Sequence, residues 1–375
     1  MKIFNYFISL FCLVLMMNTT AMAETKAYIY AFDNDYPPYA FMEKGKPTGF
    51  DIDVMKAIFK DKDVSIEYKP MQWGDVQEAL MQGRVHATSG MAKKEERKKI
   101  YDFSQSPLCD LKISIFTTPR SHIRNLQDLK DKKVATQRGS LYQKLLEQRG
   151  FKPDLYETES EALVALFREK ADAFVGTEKT ALYNIRKYNL KGVFPISTPL
   201  EVSSTYFVVK KGDNDLLARI DEGMQRIKRD GTFDRIYRQW FVEELSAEEV
   251  RNMLSRAREA AFYAYAPYTN SIVGAAVLTS SGKIYTGCNI ENAIVGYTAT
   301  ATKVAVFKAI SEGESHFKAV VSIYPGDRIG APAPDERQII AEFDRGTLVV
   351  IDDGRGNYRH VMISELLPFF FQWDQ

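Results

Sequence analysis

The chain alternates short apolar segments of β-rich character with amphipathic helical segments from residue 27 to about residue 241. Segment 64–68 (VSIEY) has the alternation of a half-buried strand, whereas 76–82 has helical spacing and is ended by Gly83. The rhythm restarts at 133–136. Such alternation predicts open α/β sheets, here in two lobes. The segments that carry it are 27–31, 49–59, 64–68, 76–82, 133–136 and 173–175.

Length and composition leave several function classes open and exclude few. The 375 residues suffice for two or three domains, and the net charge of +1 lacks the basic surplus that nucleic-acid binding would bring. The aromatic content of 12% suits a protein that grips small organic solutes, and equally a well-filled core. Cys109 and Cys288 fall in different predicted domains, so we expect two unpaired packing cysteines.

The first 23 residues have the pattern of a signal peptide. Lys2 precedes an apolar run at 7–17, and small residues at 19–23 suit a signal peptidase. The run is too short for a membrane anchor, and Phe11 before Cys12 does not fit a lipoprotein box. We therefore expect cleavage before Glu24 and an exported, periplasmic protein.

Several motifs between residues 24 and 245 make this segment resemble the periplasmic solute-binding proteins that serve polar amino acid uptake. The motifs are 36–39 (YPPY), 49–53 (GFDID), 89–91 (SGM) followed by Arg97, 102–104 (DFS), 138–140 (RGS) and 230–232 (DGT). The resemblance implies a two-lobed type II periplasmic-binding-protein fold. Lobe 1 would comprise about 24–112 and 200–245, and lobe 2 about 113–199.

The resemblance also implies a ligand cleft between the lobes. An arginine at position 97 presents a planar fork of donors for a carboxylate, unless it is a solvated charge in the basic run 93–99. A helix beginning at Gly139 and Ser140 offers donors to the same anion. The expected cleft residues are Tyr36, Tyr39, Asp51, Trp73, Ser89, Gly90, Met91, Arg97, Gly139, Ser140 and Thr177.

Two departures from the family pattern bear on the ligand. Thr177 stands where an aspartate usually holds the ligand's ammonium, and Lys94 replaces a threonine. Glu178 is shifted by one residue and would point to the other face of its strand. The cleft is therefore expected to favour anions over zwitterions, with an amino acid and a carboxylate lacking the amine both open.

The C-terminal part resembles the cytidine deaminases, which implies a three-layer α/β/α domain over 246–375. The matching motifs are 264–270 (AYAPYTN), 273–276 (VGAA) and 287–293 (GCNIENA). A capping box of Ser246 and Glu249 predicts a helix start at a short, stiff boundary. Because cytidine deaminases assemble as oligomers, the domain is expected to join two or more chains.

The residues that perform deamination are replaced. The family's zinc thiolates and its proton-shuttling glutamate correspond here to Thr300, Ala333, Glu336 and Thr302. No cofactor or metal is therefore expected, although a site of hard ligands drawn from Asp335, Glu336, and His316 or His360 stays conceivable.

The nucleoside half of that pattern is partly retained. The resemblance implies that Asn289 and Glu291 hydrogen-bond the ribose hydroxyls of a nucleoside. Ser271 replaces the aromatic residue that packs on the base. These two residues either retain nucleoside binding or brace a turn. The aromatic tail 369–373 would cover a pocket or an interface.

The sequence thus predicts an exported solute-binding protein with a degenerate deaminase domain for assembly, docking or sensing. Its partners would be an amino acid or carboxylate and an ABC permease or membrane sensor, without nucleic acid. The alternative from the enzyme class is a periplasmic nucleoside deaminase with an atypical site. Transport and sensing stay open because both use the same closing cleft.

Overall fold

The structure is a computed structural model that describes residues 26–60, 64–196, 198–354, 357–368 and 371. The predicted signal peptide and most of the aromatic tail lie outside the described residues. The strands are β1 (Lys26–Asp33), β2 (Asp35–Tyr36), β3 (Ala40–Glu43), β4 (Lys46–Thr48), β5 (Val64–Met71), β6 (Ala87–Ala92), β7 (Tyr101–Phe103), β8 (Cys109–Thr117), β9 (Val134–Gln137), β10 (Asp154–Tyr156), β11 (Ala173–Thr177), β12 (Phe194–Pro195), β13 (Glu201–Lys210), β14 (Gly274–Thr279), β15 (Ile284–Cys288), β16 (Phe317–Tyr324), β17 (Arg328–Gly330), β18 (Leu348–Asp352) and β19 (Tyr358–Met362).

The helices follow the predicted rhythm. They are α1 (Phe50–Ile58), α2 (Trp73–Gln82), α3 (Glu95–Lys98), α4 (Leu141–Gln148), α5 (Glu159–Phe167), α6 (Glu178–Tyr188), α7 (Asn214–Arg229), α8 (Thr232–Phe241), α9 (Ala247–Ala261), α10 (Ala301–Ser311), α11 (Pro334–Phe343) and α12 (Ile363–Leu366), with 3₁₀ turns at Leu126–Leu129 and Val295–Tyr297. Gly83 ends α2 in the left-handed conformation, with φ of 74°, as its position predicted.

One mixed sheet runs through both lobes in the order β10-β9-β11-β8-β13-β6-β1-β5. β1 pairs in parallel with β5, and β9 pairs in parallel with β10 and β11. Between these two parallel groups lie β8 and β13, which pair antiparallel with each other. We name β8 and β13 the crossing strands, because they connect lobe 1, built on β1, β5 and β6, with lobe 2, built on β9 to β11.

Each lobe has its own apolar core. In lobe 1 Phe50, Ile52 and Phe207 are fully buried, and in lobe 2 Phe116 and Phe174 are fully buried. The entry to α1 requires a glycine, since Gly49 has φ of 129° and a Cβ there would lie 2.2 Å from the Tyr39 carbonyl oxygen. The two-lobed α/β fold is therefore confirmed.

The C-terminal part forms a second sheet in the order β15-β14-β16-β18-β19, with β17 paired to β16. Helices α10 and α11 pack on one face of this sheet and α9 on the other. This is the expected three-layer α/β/α arrangement. The Ser246 capping box is present, with the Ser246 Oγ accepting the Glu249 N–H.

Cys109 and Cys288 are both free thiols. Within the described ranges, no helix has the length and apolarity needed to cross a membrane.

Candidate functional site

A cavity of about 50 Å³ lies between the lobes at the ends of the strands, where open α/β sheets bind ligands. The lobes are drawn together around it by hydrogen bonds that cross the cleft: Tyr36 Oη with Thr177 Oγ1 at 3.0 Å, Gln137 Nε2 to Asp33 Oδ2 at 2.8 Å, and Gln77 Nε2 to the Gly139 carbonyl at 3.1 Å. The described conformation is therefore the closed one.

Arg97 is a buried cation in the wall of the cavity. Its side chain extends from the short helix α3, and the residue is only 5% exposed. Its guanidinium donates to the Ala92 carbonyl at 3.3 Å, and among the described residues no acidic side chain forms an ion pair with it. Burial lowers its pKa from the ordinary arginine value. A guanidinium carries five donors, so this single hydrogen bond leaves most of the hydrogen-bonding capacity of Arg97 for a ligand in the cavity.

Two carboxyl groups line the same cavity. Asp51 on α1 accepts the Ser89 hydroxyl at 2.5 Å, and its Oδ1 is buried without a protein partner. Burial raises the pKa of Asp51 to about 7 and that of Asp33, at the end of β1, to about 6. A cation entering the cavity would stabilise both carboxylates.

A third buried carboxyl lies behind Thr177. Glu159 at the start of α5 accepts the Thr177 hydroxyl at 3.0 Å and its N–H at 3.2 Å, and also accepts the Tyr142 hydroxyl. Burial raises the pKa of Glu159 well above its usual range. Glu159 therefore fixes Thr177, which in turn meets Tyr36 across the cleft.

The structure brings seven of the eleven expected cleft residues into the cavity lining: Tyr36, Asp51, Trp73, Ser89, Gly90, Arg97 and Ser140. Tyr39, Met91, Gly139 and Thr177 lie outside it. Tyr39 is a core residue that stacks on Tyr36 with ring centroids 4.9 Å apart. Met91 packs in the core of lobe 1, because Gly90, with φ of 75°, interrupts the strand alternation that would put Met91 on the same side as Ser89.

Two further expectations about the cleft, for Lys94 and for the Ser140 hydroxyl, need adjustment. Lys94 pairs with Glu201 at 2.8 Å and does not line the cavity. The Ser140 hydroxyl is already engaged, because it accepts the Gln143 N–H and donates to the Gln137 carbonyl. The first N–H groups of α4, beginning at Leu141, remain as the anion donors of that helix start.

Sequence reasoning missed several cavity residues. They are Phe32, Asp33, Ala40, Ala92, Leu111, Ile113, Gln137, Leu141, Tyr142 and Ser203. Asp33 was detectable as a polar residue at the carboxyl end of a predicted strand. Gln137 and Tyr142 depend on how lobe 2 folds over lobe 1, which no local pattern specifies.

In the C-terminal domain the two expected ribose residues hold a loop. Asn289 accepts the Val273 N–H and donates to the Ser271 carbonyl, both at 2.8 Å. Glu291 accepts the N–H groups of Tyr268 and Thr269 at 2.9 and 3.2 Å, as well as the Thr269 hydroxyl. Both side chains therefore brace the segment 268–273 in this conformation.

Of the residues that the resemblance places at the family's zinc site, Thr302 and Glu336 are engaged in protein contacts, whereas the Thr300 hydroxyl is buried without a protein partner. The Thr302 and Ser322 hydroxyls lie 2.9 Å apart, and Glu336 accepts the Ala333 N–H at the start of α11. Lys303 pairs with Asp335 at 2.5 Å, which joins α10 to α11. No group of three or more candidate metal ligands occurs in the described part of the chain, so His316 and His360 do not assemble with Asp335 and Glu336.

A family model for bacterial extracellular solute-binding proteins, family 3, matches residues 28–243. The chain belongs to this family. The amino-acid-binding protein AabA of Dichelobacter nodosus is 31% identical over 57% of this chain and 89% of its own length, and the L-cystine-binding protein TcyA of Bacillus subtilis is 26% identical over 57% and 81%. An ancestral arginine-binding protein bound to glutamine has a TM-score of 0.53 at 33% identity, covering 57% of this chain and 97% of its own.

A histidine kinase sensor domain with similarity to periplasmic binding proteins has a TM-score of 0.56 at 28% identity, over 58% of this chain and 97% of its own. A family model for the cytidine and deoxycytidylate deaminase zinc-binding region matches residues 208–324, a range that begins in β13 and ends with β16. A cytidine deaminase of Sporosarcina psychrophila is 36% identical over 33% of this chain and 91% of its own length. The second domain is therefore cytidine deaminase-like.

Proposed function

We propose that this protein is an exported receptor that captures an amino acid or a related small carboxylate in the periplasm. The observation that carries the proposal is Arg97, a buried guanidinium in the cavity wall without an acidic partner among the described residues. A buried charge without a partner is unfavourable, so the site is completed by an anion that Arg97 binds through two hydrogen bonds.

An amine on the same ligand is favoured by Asp33 and Asp51. Both are buried, both line the cavity, and burial raises the pKa of each. An ammonium group would compensate their ionisation, so these carboxyls take the role that Thr177 cannot perform. This support for a zwitterion outweighs the sequence argument for an anion lacking the amine.

A thermal-shift screen of the mature protein tests the proposal. The panel contains the proteinogenic L-amino acids, L-cystine, dicarboxylates and nucleosides. We expect at least one α-amino acid to raise the unfolding temperature, and its decarboxylated and deaminated analogues to have little effect. Stabilisation by nucleosides alone would contradict the proposed ligand class.

We infer that the deaminase-like domain is non-catalytic and serves assembly or docking. Backbone bridges join Tyr265 to Ile290 and Ile290 to Ala299, which puts three segments side by side. These segments and the neighbouring helix carry exposed apolar side chains, which favours a surface that a second chain covers. The side chains are Phe262, Tyr263, Tyr265, Tyr268, Ile272, Ile290, Ile294, Val295, Tyr297 and Phe307.

The liganded receptor would then pass its solute to an ABC permease or its state to a membrane sensor. The likenesses to the substrate binding protein of an amino acid ABC transporter and to a histidine kinase sensor domain support both partners equally. Copurification from detergent-solubilised membranes, with and without the screen's ligand, distinguishes them by the partner recovered.

A deaminase activity is the second candidate, because the domain keeps 36% identity with a cytidine deaminase over nearly that enzyme's whole length. It lacks a general acid or base at Thr302 and thiolates at Thr300 and Ala333. Elemental analysis and conversion of cytidine to uridine decide the matter. We expect no stoichiometric zinc and no uridine; one zinc per chain together with uridine would establish the enzyme.

A further inference from the structure

Residues 343–346, named here the latch loop, connect α11 to β18 and reach from the deaminase-like domain to the hinge of the binding domain. Three consecutive residues of this loop make polar contacts there. The Phe343 carbonyl accepts Lys112 Nζ, Asp344 Oδ2 accepts Lys179 Nζ at 3.3 Å, and Arg345 Nη1 donates to Asp110 Oδ2 at 3.1 Å.

The partners of the latch loop occupy both sides of the hinge. Asp110 on β8 also accepts the Ser204 hydroxyl of β13 at 2.6 Å, so Arg345 is attached where the crossing strands meet. Lys179 belongs instead to α6 of lobe 2, two residues after Thr177. One loop thus contacts the hinge and the beginning of the lobe 2 helix that follows the cleft.

A second contact reaches the same helix start. His316 Nε2 lies 2.6 Å from Glu178 Oε1, and Glu178 Oε2 accepts the Ser114 hydroxyl at 2.6 Å. Glu178 is buried, and its pKa is lowered because the hydrogen bond and charge of His316 offset the effect of burial. The deaminase-like domain therefore holds both of the first two residues of α6.

The attachment to lobe 1 is of a different kind. Tyr237 and Val242 pack against the core of the deaminase-like domain, and Tyr237 also contacts Phe50 of lobe 1 edge-on, with ring centroids 5.9 Å apart. Arg238 adds a hydrogen bond to the His360 carbonyl at 3.1 Å. The attachment to lobe 1 thus includes apolar packing, whereas the contacts with the start of α6 in lobe 2 are polar.

We propose that the deaminase-like domain is a latch that stabilises the closed cleft by positioning the start of α6 through Asp344 and His316. This rests on the proposed receptor function. Closure rotates lobe 2 against lobe 1 about the crossing strands, and contacts that span the hinge fit only one rotation angle. The closed form contains these contacts, so the latch and the ligand favour the same state, and each strengthens the other.

The charges at the latch loop support this geometry. Burial opposes the ionisation of Asp344, but the ammonium groups of Lys179 and Lys112 lower its pKa below the ordinary value. The pair is therefore charged at neutral pH. Rotation of lobe 2 would separate the two charges and leave each to find a new partner, which opposes opening.

The test measures lobe separation in ligand-free protein by double electron–electron resonance. Nitroxides are placed at Lys46→Cys in lobe 1 and Lys152→Cys in lobe 2, in a background in which both free cysteines are replaced, Cys109→Ser and Cys288→Ala. We expect Asp344→Asn and Lys179→Met to shift the distance distribution to longer values, and the charge-exchanged pair Lys179→Asp with Asp344→Lys to reverse much of the shift. Asp335→Asn, which removes an ion pair inside the deaminase-like domain, is the matched control.

Unchanged distances in both single variants would overturn the latch. His316→Gln provides a second test of the same helix start should either variant fail to fold. L-glutamine and L-cystine serve as probes for dissociation rates, which we expect to rise by roughly 5- to 150-fold in the variants, the usual range of coupling between sites. If neither probe binds the unaltered protein, the proposed ligand class is weakened, while the distances still decide the latch.

Discussion

The ligand cleft and the pocket region of the deaminase-like domain both contain buried polar side chains, but these groups are engaged differently. In the cleft, Arg97 has a backbone acceptor and no acidic partner among the described residues, and Asp51 has one oxygen without a protein partner. In the deaminase-like domain, Asn289 and Glu291 have their hydrogen bonds within one loop.

The difference bears on whether a buried polar group is available to a ligand. A buried polar group without a hydrogen-bond partner lowers the stability of the fold. Such groups are retained where a ligand supplies the missing hydrogen bonds. Groups whose hydrogen bonds are already satisfied stabilise the fold and need no ligand. Substitutions in the cleft should therefore change ligand binding, and removal of an unsatisfied group there should raise stability, whereas substitutions of the engaged groups in the deaminase-like domain should lower stability.

The largest expected effect is on ligand affinity at Arg97. Arg97→Ala removes both hydrogen bonds to a ligand carboxylate and leaves the cavity's carboxyls without a countercharge. A charge-assisted pair in a closed cleft contributes about 2–5 kcal/mol, so affinity should fall roughly thirty-fold to several thousand-fold. Calorimetry with the screen's best ligand measures this, with Lys98→Ala on the same helix as the control. If Arg97→Ala bound the ligand as tightly as the unaltered protein does, the ligand site would not be at Arg97 in the cleft.

The second effect concerns the free energy of unfolding and the way in which Asp51 makes it depend on pH. Because burial raises its pKa to about 7, the folded protein holds the Asp51 proton more tightly than the unfolded chain does. Asp51 therefore contributes to the free energy of unfolding fully below about pH 4, and this contribution is lost as the pH rises through 7. It amounts to at most about 4 kcal/mol. The ligand-free protein should therefore unfold at a higher temperature at pH 5 than at pH 8.

Asp51→Asn should flatten this dependence and raise the free energy of unfolding at pH 8, while weakening amino acid binding. Thermal denaturation between pH 4 and 8 is the measurement, and Asp75→Asn on the exposed side of α2 is the matched control. If Asp51→Asn were less stable than the unaltered protein at pH 8, the Asp51 carboxylate would not be a destabilising, unsatisfied group in the ligand-free fold.

A smaller effect is expected on assembly. Phe262 and Val295 are 86% and 83% exposed on the deaminase-like domain, and a glutamate at each should weaken association of two chains. Each buried interface anchor is worth about 2 kcal/mol, roughly thirty-fold in the dissociation constant. Light scattering should show a dimer or larger for the unaltered chain and monomers for the double variant, with Phe194→Glu in lobe 2 unchanged. A monomeric unaltered chain would exclude the assembly role.

The smallest effect is expected at Asn289. Asn289→Ala removes two hydrogen bonds from the loop and should lower the free energy of unfolding by about 1–3 kcal/mol, without a change in solute affinity. Asn292→Ala in the neighbouring exposed segment is the control. Stabilisation by cytidine that disappears in Asn289→Ala would instead show that the nucleoside pocket is retained.

The sequence determined the features that depend on local pattern. Strand and helix alternation gave the two-lobed α/β fold, and the spacing of Ser246 and Glu249 gave the start of α9. The resemblance that places Thr300, Thr302 and Ala333 at the zinc site likewise rests on short motifs of the chain. Periodicity and capping act over a few residues, which is why they can be read without coordinates.

The tertiary structure decided which polar groups share a cavity. Asp33 and Gln137 are 104 positions apart and meet only because lobe 2 folds over lobe 1. Tyr39 belongs to the same motif as Tyr36 but is buried in the core, since the chain turns between them. The contacts of Asp344 with Lys179 span 165 positions. Such long-range contacts are fixed by packing of whole domains, and no local pattern encodes them.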